Sequence, residues 1–176
     1  MSTYKGIKGF KVQSFETDPV PSTVAWASGG NMNLGRRELG AANQAPGHSA
    51  GLVFGGYKTP PTGPTNATEE YNGTSWTSGG NMTTSRQRLA GAGIQTAGLA
   101  FGGGYPPTNH AETEEYDGSS WSAQPNLPSG QSSSGAFGTT TNAVSAGGFT
   151  PPSSTLTTTF EWSGVGSEKI EDIDVT

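Results

Sequence analysis

Three stretches of the chain carry one hydrophobic pattern: "GLVFGGY" at 51–57, "GLAFGGGY" at 98–105 and "VSAGGF" at 144–149. Each is a short apolar run that stops on paired glycines, Gly55-Gly56, Gly102-Gly103 and Gly147-Gly148. A run of this length bounded by glycine predicts a buried strand. The glycines let the chain leave the sheet through backbone conformations closed to other residues. Before each run lies a small-residue segment: "ELGAAN", "RLAGAG" or "SGAFGT". After it comes a polar–aromatic segment: "ATEEYNG", "AETEEYDG" or "LTTTFEWSG". Tryptophan-bearing segments, "TVAWAS", "TSWTSG" and "SSWSAQ", complete the set. The pattern predicts four short strands per unit, a to d, and an all-β protein. Asn72-Gly73 and Asp117-Gly118 predict tight c–d hairpins with positive φ at both central residues.

The units repeat. Trp26, Trp76 and Trp121 are spaced by 50 and 45 residues, and Tyr71 and Tyr116 stand five residues before the later two. Trp162 sits in "FEWSG" and matches "EEYNG" and "EEYDG", so it holds the tyrosine position. "WASGGNMNLGRRELGAAN", "WTSGGNMTTSRQRLAGAG" and "WSAQPNLPSGQSSSGAFG" align without a gap. Three units follow, at about 26–75, 76–120 and 121–163, within a repeat region of 22–163. The third departs: Gln131 replaces the arginine of Arg36 and Arg86, and no tryptophan follows Trp162. The frame therefore reads d, abcd, abcd, abc. Two completions fit. Three sheets close within one chain as a three-sided prism, or "TVAWAS" of one chain completes the last unit of another. "EKIEDIDVT" at 168–176 is a further candidate for the missing strand.

An apolar strand ending in Gly-Gly, then Glu-Tyr-Asp-Gly, then Trp, then Met and Arg, resembles the kelch repeat. The resemblance implies kelch-like β-propeller blades of four strands; if "TVAWAS" of one chain completes the last unit of another, two chains make a six-bladed ring. More narrowly, the opening "MSTYKGIKGFKVQSF" with units such as "GGNM", "LAGAG", "LAFGG" and "TEEYDGSSW" is similar to short repeat proteins of marine bacteriophages of cyanobacteria and related hosts. That resemblance implies a non-enzymatic virion component of tail, fibre or capsid, assembled in the host cytoplasm and able to contribute to host recognition.

Composition narrows the reading. Only 30% of residues are hydrophobic and 13% charged, while Gly counts 28 and Pro 12. Disorder from low hydrophobicity usually comes with high charge and few aromatics; here the aromatics are regularly spaced. The core must be thin, which favours a homo-oligomer. With no cysteine, disulfides, thiolate metal sites and cysteine catalysis are excluded. A net charge of −5 argues against nucleic acid as a partner. No apolar run approaches the ~18 residues of a membrane span. The N-terminus lacks the apolar run of a signal peptide. The three sequons, at Asn66, Asn72 and Asn81, are close to the number that chance gives in a chain rich in Ser and Thr, and are read as noise.

Three groups of residues are candidates for function. The b–c loops each place an aromatic beside Pro-Pro: Tyr57 with Pro60 and Pro61, Tyr105 with Pro106 and Pro107, Phe149 with Pro151 and Pro152. On one propeller face these would form platforms for a host glycan, a receptor or a protein partner; the alternative role is loop stiffening. The arm 1–21 carries Tyr4, Lys5, Ile7, Lys8, Phe10 and Lys11, and the tail 164–176 carries Glu168, Glu171, Asp172 and Asp174. The arm is expected to dock on other virion proteins or on the tail. Arg36 and Arg86, equivalent in the repeat, are expected to make structural bonds between units, with Glu70 and Glu115 as partners. The alternative role for Arg36, Arg37, Arg86 and Arg88 is to bind an anionic ligand. Adjacent carboxylates such as Glu69-Glu70 and Glu114-Glu115, with Glu112 nearby, project to opposite faces of a strand and make poor catalytic pairs. His48 and His110 hold non-equivalent positions. No cofactor and no metal is expected. The rival functions are a carbohydrate-binding module and an intracellular scaffold for a host protein.

Overall fold

The computed structural model describes residues 26–44, 47–105 and 107–164. Among them every regular element is a strand, and the protein is all-β. β1 (Gly40–Ala42), β2 (Gly51–Phe54), β3 (Thr68–Tyr71) and β4 (Trp76–Ser78) form one antiparallel sheet in chain order. β5 (Ala90–Ile94), β6 (Ala97–Phe101), β7 (Thr113–Tyr116) and β8 (Trp121–Gln124) form the second. β9 (Gly135–Gly138), β10 (Asn142–Ala146) and β11 (Thr159–Ser163) form the third, which among the described residues has three strands with β11 at its edge. Short ribbons fill the b–c loops: Tyr57–Lys58 pairs with Gly63–Pro64, Gly104–Tyr105 with Thr108–Asn109, and Phe149–Thr150 with Ser154–Thr155.

The three sheets share one register. Ala42 pairs with Leu52, Ala92 with Leu99 and Phe137 with Val144. Because strand side chains alternate between faces, each sheet has a forward and a backward face. The forward face of the first sheet, with Ala42, Leu52 and Phe54, packs on the backward face of the second, with Ala100, Tyr116 and Trp121. The forward face of the second, with Ala92, Leu99 and Phe101, packs on Ala136, Ala143 and Trp162 of the third. The core is thus two slabs between three sheets. β5 packs on both β1 and β9, and no comparable packing joins β1 to β9. The sheets form an open arc, and the three-sided prism is not the arrangement of the described residues.

Glycine permits this close stacking. A Cβ on Gly91 of β5 would lie 2.4 Å from Phe54 Cζ and 2.6 Å from the Ala41 carbonyl oxygen. The paired glycines after β2, β6 and β10 all have positive φ, from 62° to 114°, so the chain leaves each sheet in the same way.

The hairpins differ from expectation. Only Gly73 and Gly118 take positive φ, both 93°, and the loops run four residues, Asn72–Ser75 and Asp117–Ser120. The side chain, rather than a mirror-image turn, closes each loop. Asn72 Oδ1 accepts from the Thr74 and Ser75 amides at 3.0 and 2.9 Å. Asp117 Oδ1 accepts from the Ser119 and Ser120 amides at 2.8 and 2.7 Å. These bonds, the Ser120 amide first, hold the Asp117 carboxyl down at about 2. A depressed carboxyl stabilises the fold above its unfolded value of about 4, and this contribution is lost as pH falls towards 2. The Tm difference between the protein and Asp117→Ala is therefore expected to be full at neutral pH and to shrink from pH 4 downwards. A difference independent of pH would refute this role for the charge.

The first d strand also differs. Of "TVAWAS", residues 26–28 are described and belong to no strand, and Trp26 is fully exposed. Residues 23–25, the arm with Tyr4, Lys5, Ile7, Lys8, Phe10 and Lys11, Pro106, and the acidic tail from 165 lie outside the described residues.

Candidate functional site

The recurring arginines were expected to bond between units; instead each side chain ties the incoming connection to the sheet of its own unit. Arg86 leaves the β4–β5 connection, donates to the carbonyls of Gly102 at 2.8 Å and Glu112 at 2.7 Å, and pairs with Glu114 Oε1 at 2.8 Å. Arg36 repeats this clasp with the Gly55 and Ala67 carbonyls and Glu69 Oε1 at 3.1 Å. All four side chains are buried. Burial pulls both guanidinium pKa values down, and the paired glutamates oppose that shift. The carboxylates also cap the incoming connection: Glu69 accepts from the Asn33 and Leu34 amides, and Glu114 from Thr83 and Thr84.

This overturns the expected partners. Glu70 and Glu115 do not meet the arginines, because on the strand they face the other way from Glu69 and Glu114. Glu70 instead accepts from the Tyr116 hydroxyl of the next sheet at 2.5 Å. Burial first, and this bond second, push the Tyr116 hydroxyl up to about 12. Glu115 lacks that partner because Trp162 stands where a tyrosine would. In the third unit both clasp partners change together: Gln131 replaces arginine and Phe160 replaces glutamate. Gln131 Nε2 donates to Ser145 Oγ at 2.5 Å, and no buried charge is left unpaired. A cavity of about 60 Å³ opens beside this altered contact, lined by Leu127, Phe160 and Trp162 among others.

The tryptophans hold graded positions. Trp121 is buried, edge-on to Phe54 at 5.0 Å, with Nε1 donating to Thr68 Oγ1 at 2.9 Å. Trp76 is half-buried on Tyr71 and donates to the Gly30 carbonyl at 3.1 Å. Trp162 donates to the Thr140 carbonyl at 2.7 Å.

The b–c loops carry aromatics that are partly accessible, though less so than Trp26 and Phe137. Tyr57 is half-buried, and the Arg37 guanidinium lies 4.6 Å above its ring. Glu38 receives Arg88 at 3.1 Å beside it. Arg37, Glu38, Tyr57, Pro64, Gln87 and Arg88 line a cleft of about 360 Å³. Pro60 and Pro61 are exposed at the loop tip, and the bonds preceding them are cis. Glu38 was thus the missed member of this surface, and Arg37 was expected as an anion ligand and not beside Tyr57; the signal was the Arg-Arg-Glu run at the start of strand a.

The three loops are not equivalent. Tyr57 pairs with Arg37, and Phe149 exchanges backbone hydrogen bonds with Ser132 at 2.8 and 3.1 Å. In the second unit the matching position is Gly104, whose amide donates to the Gln87 carbonyl at 2.7 Å. The third glycine of "GGGY" displaces Tyr105 by one residue. Gly104 is needed there: its φ is 124°, and a Cβ would lie 2.5 Å from the Thr108 carbonyl oxygen. The expected set Tyr57, Tyr105 and Phe149 therefore does not share one repeat position. Pro107 and Pro152 are exposed, and Phe149 and Pro151 are half-buried. His110 Nδ1 lies 3.1 Å from Glu112. Among the described residues no group of three or more His, Asp or Glu converges on one point, and no helix is long and apolar enough to cross a membrane.

The sequence matches no family model and no curated protein. Among solved structures the chain is similar to one titled "Structure of YjhT", with a TM-score of 0.62 at 12% identity. The match takes 74% of this chain and 43% of that one, so the chain spans less than half the length of its structural neighbour. At this identity the likeness concerns the fold alone.

Proposed function

We propose that the chain is a non-enzymatic structural component of a phage particle, built from kelch-like β-propeller blades. One observation carries the reading. The charged and aromatic groups that recur with the repeat are spent on internal bonds: Arg36–Glu69 and Arg86–Glu114 tie each incoming connection to the sheet it enters, and Tyr116–Glu70 joins two sheets. A chain that commits its recurring polar groups to rigidity acts through its surface. The resemblance of its opening segment and units to marine phage proteins supplies the particle. In this reading residues 1–21 anchor the repeat region to other virion proteins, and the b–c loops face outward. The test is mass spectrometry of purified particles. The chain is expected at a stoichiometry typical of tail, fibre or capsid components. Its recovery only from the soluble lysate, bound to a host protein, would support the scaffold reading instead.

A second reading, recognition of a host glycan, is favoured by the Arg37–Tyr57 shelf above its cleft. An aromatic face with a cation and a carboxylate beside it suits a sugar ring with polar edges. Tyr57→Ala is expected to weaken binding on a glycan array by about tenfold, roughly 1.4 kcal/mol. Binding that is indifferent to the change would remove this reading.

A further inference from the structure

We infer that the forward face and open edge of the third sheet receive the backward face of the first sheet of a second copy, head to tail. The inference rests on the shared register of the sheets and goes beyond the particle assignment. The same inter-sheet contact forms twice in the chain, and its two halves are left over at the ends of the arc.

The forward half is on the third sheet. Ala42 and Ala92 are 1% and 2% exposed, whereas Phe137, in the same position, is 59% exposed. Leu52 and Leu99 are buried; their counterpart Val144 is half-buried, and Glu161, beside it on β11, is exposed. Phe137, Val144 and Glu161 line a shallow open pocket there. The backward half is on the first sheet. Ala41 is exposed and Val53, Tyr71 and Trp76 are half-buried, while Ala100, Tyr116 and Trp121, which match the last three, are buried.

The polar groups match as well. Tyr116 donates to Glu70 across the first contact. Its counterpart Tyr71 has no hydroxyl partner among the described residues, and Glu161, the counterpart of Glu70, has none for its carboxylate. Likewise Tyr71 stacks cross-strand on Trp76, and Tyr116 on Trp121, with centroids 4.9 and 5.0 Å apart. Among the described residues Trp162 on β11 has no such neighbour, and Trp26 is fully exposed. The segment 26–34 is tethered to the backward face of the first sheet by Asn33–Glu69 and Trp76–Gly30 bonds. When that face docks, Trp26–Ser28 of the incoming copy run beside the β11 edge, in the place β4 and β8 occupy beside β3 and β7. Covering β11 also removes an exposed edge strand. Such a contact is heterologous, so each copy uses one end as donor and the other as acceptor.

The full chain, Phe137→Lys and Trp26→Asp are compared by native mass and thermal unfolding. Both substituted side chains are exposed, so each variant is expected to unfold as cooperatively as the monomeric unit. The full chain is expected to be a dimer or larger, and each variant alone a monomer or a weakened assembly. Mixing the two is expected to restore a dimer, because each retains the end the other has lost. A monomeric full chain at its highest soluble concentration would overturn the inference. So would an assembly indifferent to both changes. Loss of assembly that mixing does not restore would indicate a self-matching contact and overturn the head-to-tail geometry.

Discussion

Arg86→Ala is expected to lower the unfolding free energy by about 3–5 kcal/mol, the range for removing one partner of a buried ion pair. The cost comes from what is left behind. Glu114 would keep its bonds from Thr83 and Thr84 but lose its counter-charge in a site where it is 1% exposed. The Gly102 and Glu112 carbonyls would lose their donor too. Arg86→Gln alone imports the glutamine of Gln131 without its surroundings, and the orphaned carboxylate remains. The joint change Arg86→Gln and Glu114→Phe copies the Gln131 and Phe160 pair of the third unit and removes the orphan. It is expected to recover at least half of the loss, and the two sites should couple by about 1–3 kcal/mol in a double-mutant cycle. Denaturant unfolding gives all four values if the m-value is unchanged. A single-variant loss below about 1 kcal/mol would mean that the clasp is solvated and adds little to the stability of its sheet.

Much of the architecture was legible because a few residues admit only one use. Gly55-Gly56 and its two copies mark strand exits, since two successive positive φ values are tolerated by little else. The spacing of Trp76, Trp121, Tyr71 and Tyr116 set the unit length, and no tryptophan follows Trp162, after which the described residues of the last sheet add no fourth strand. The arginine clasp was legible in kind, because Arg36 and Arg86 recur. Its carboxylates were not. "EEY" offers two adjacent glutamates of identical chemistry, and only the strand's facing decides between them. Glu114 lies two residues from Tyr116 and so shares the face turned to the preceding sheet; the spacing held that information.

Other features left no trace in residue type. Glu38, Arg88 and Ser133 take φ of 56°, 55° and 58° at one repeat position, where sequence reasoning would place glycine or asparagine. Tertiary bonds fix them: the Arg88 amide donates to the Glu38 carbonyl at 2.7 Å, and the Ser133 amide to the Arg88 carbonyl at 2.8 Å. These bonds run from unit to unit, so no local window reveals them. The Tyr105 displacement failed for a different reason. "GGGY" shows its extra glycine plainly, but whether an insertion falls before or after the aromatic depends on which amide reaches the Gln87 carbonyl.

Trp121→Ala is expected to cost about 3–5 kcal/mol, the range for truncating a buried tryptophan. The indole fills the slab between the first two sheets, against Phe54 and Tyr116, and its Nε1 satisfies Thr68, a hydroxyl residue 1% exposed. Truncation therefore opens a cavity and strands a buried hydroxyl. Trp121→Phe keeps much of the volume and isolates the second effect, about 1–2 kcal/mol. The comparison across the repeat gives the measurement its force. Trp76→Ala should cost less than half as much, because that ring is half-buried and bonds to the Gly30 carbonyl at the rim. Trp26→Ala should cost the isolated chain nothing measurable, since its ring is fully exposed. One residue type at one repeat position would then span the whole scale, set only by whether a neighbouring sheet covers it. If Trp26→Ala instead destabilises in proportion to protein concentration, the covering sheet belongs to another copy. Equal costs at all three positions would show that the tryptophans act within their own hairpins and not as the packing between sheets.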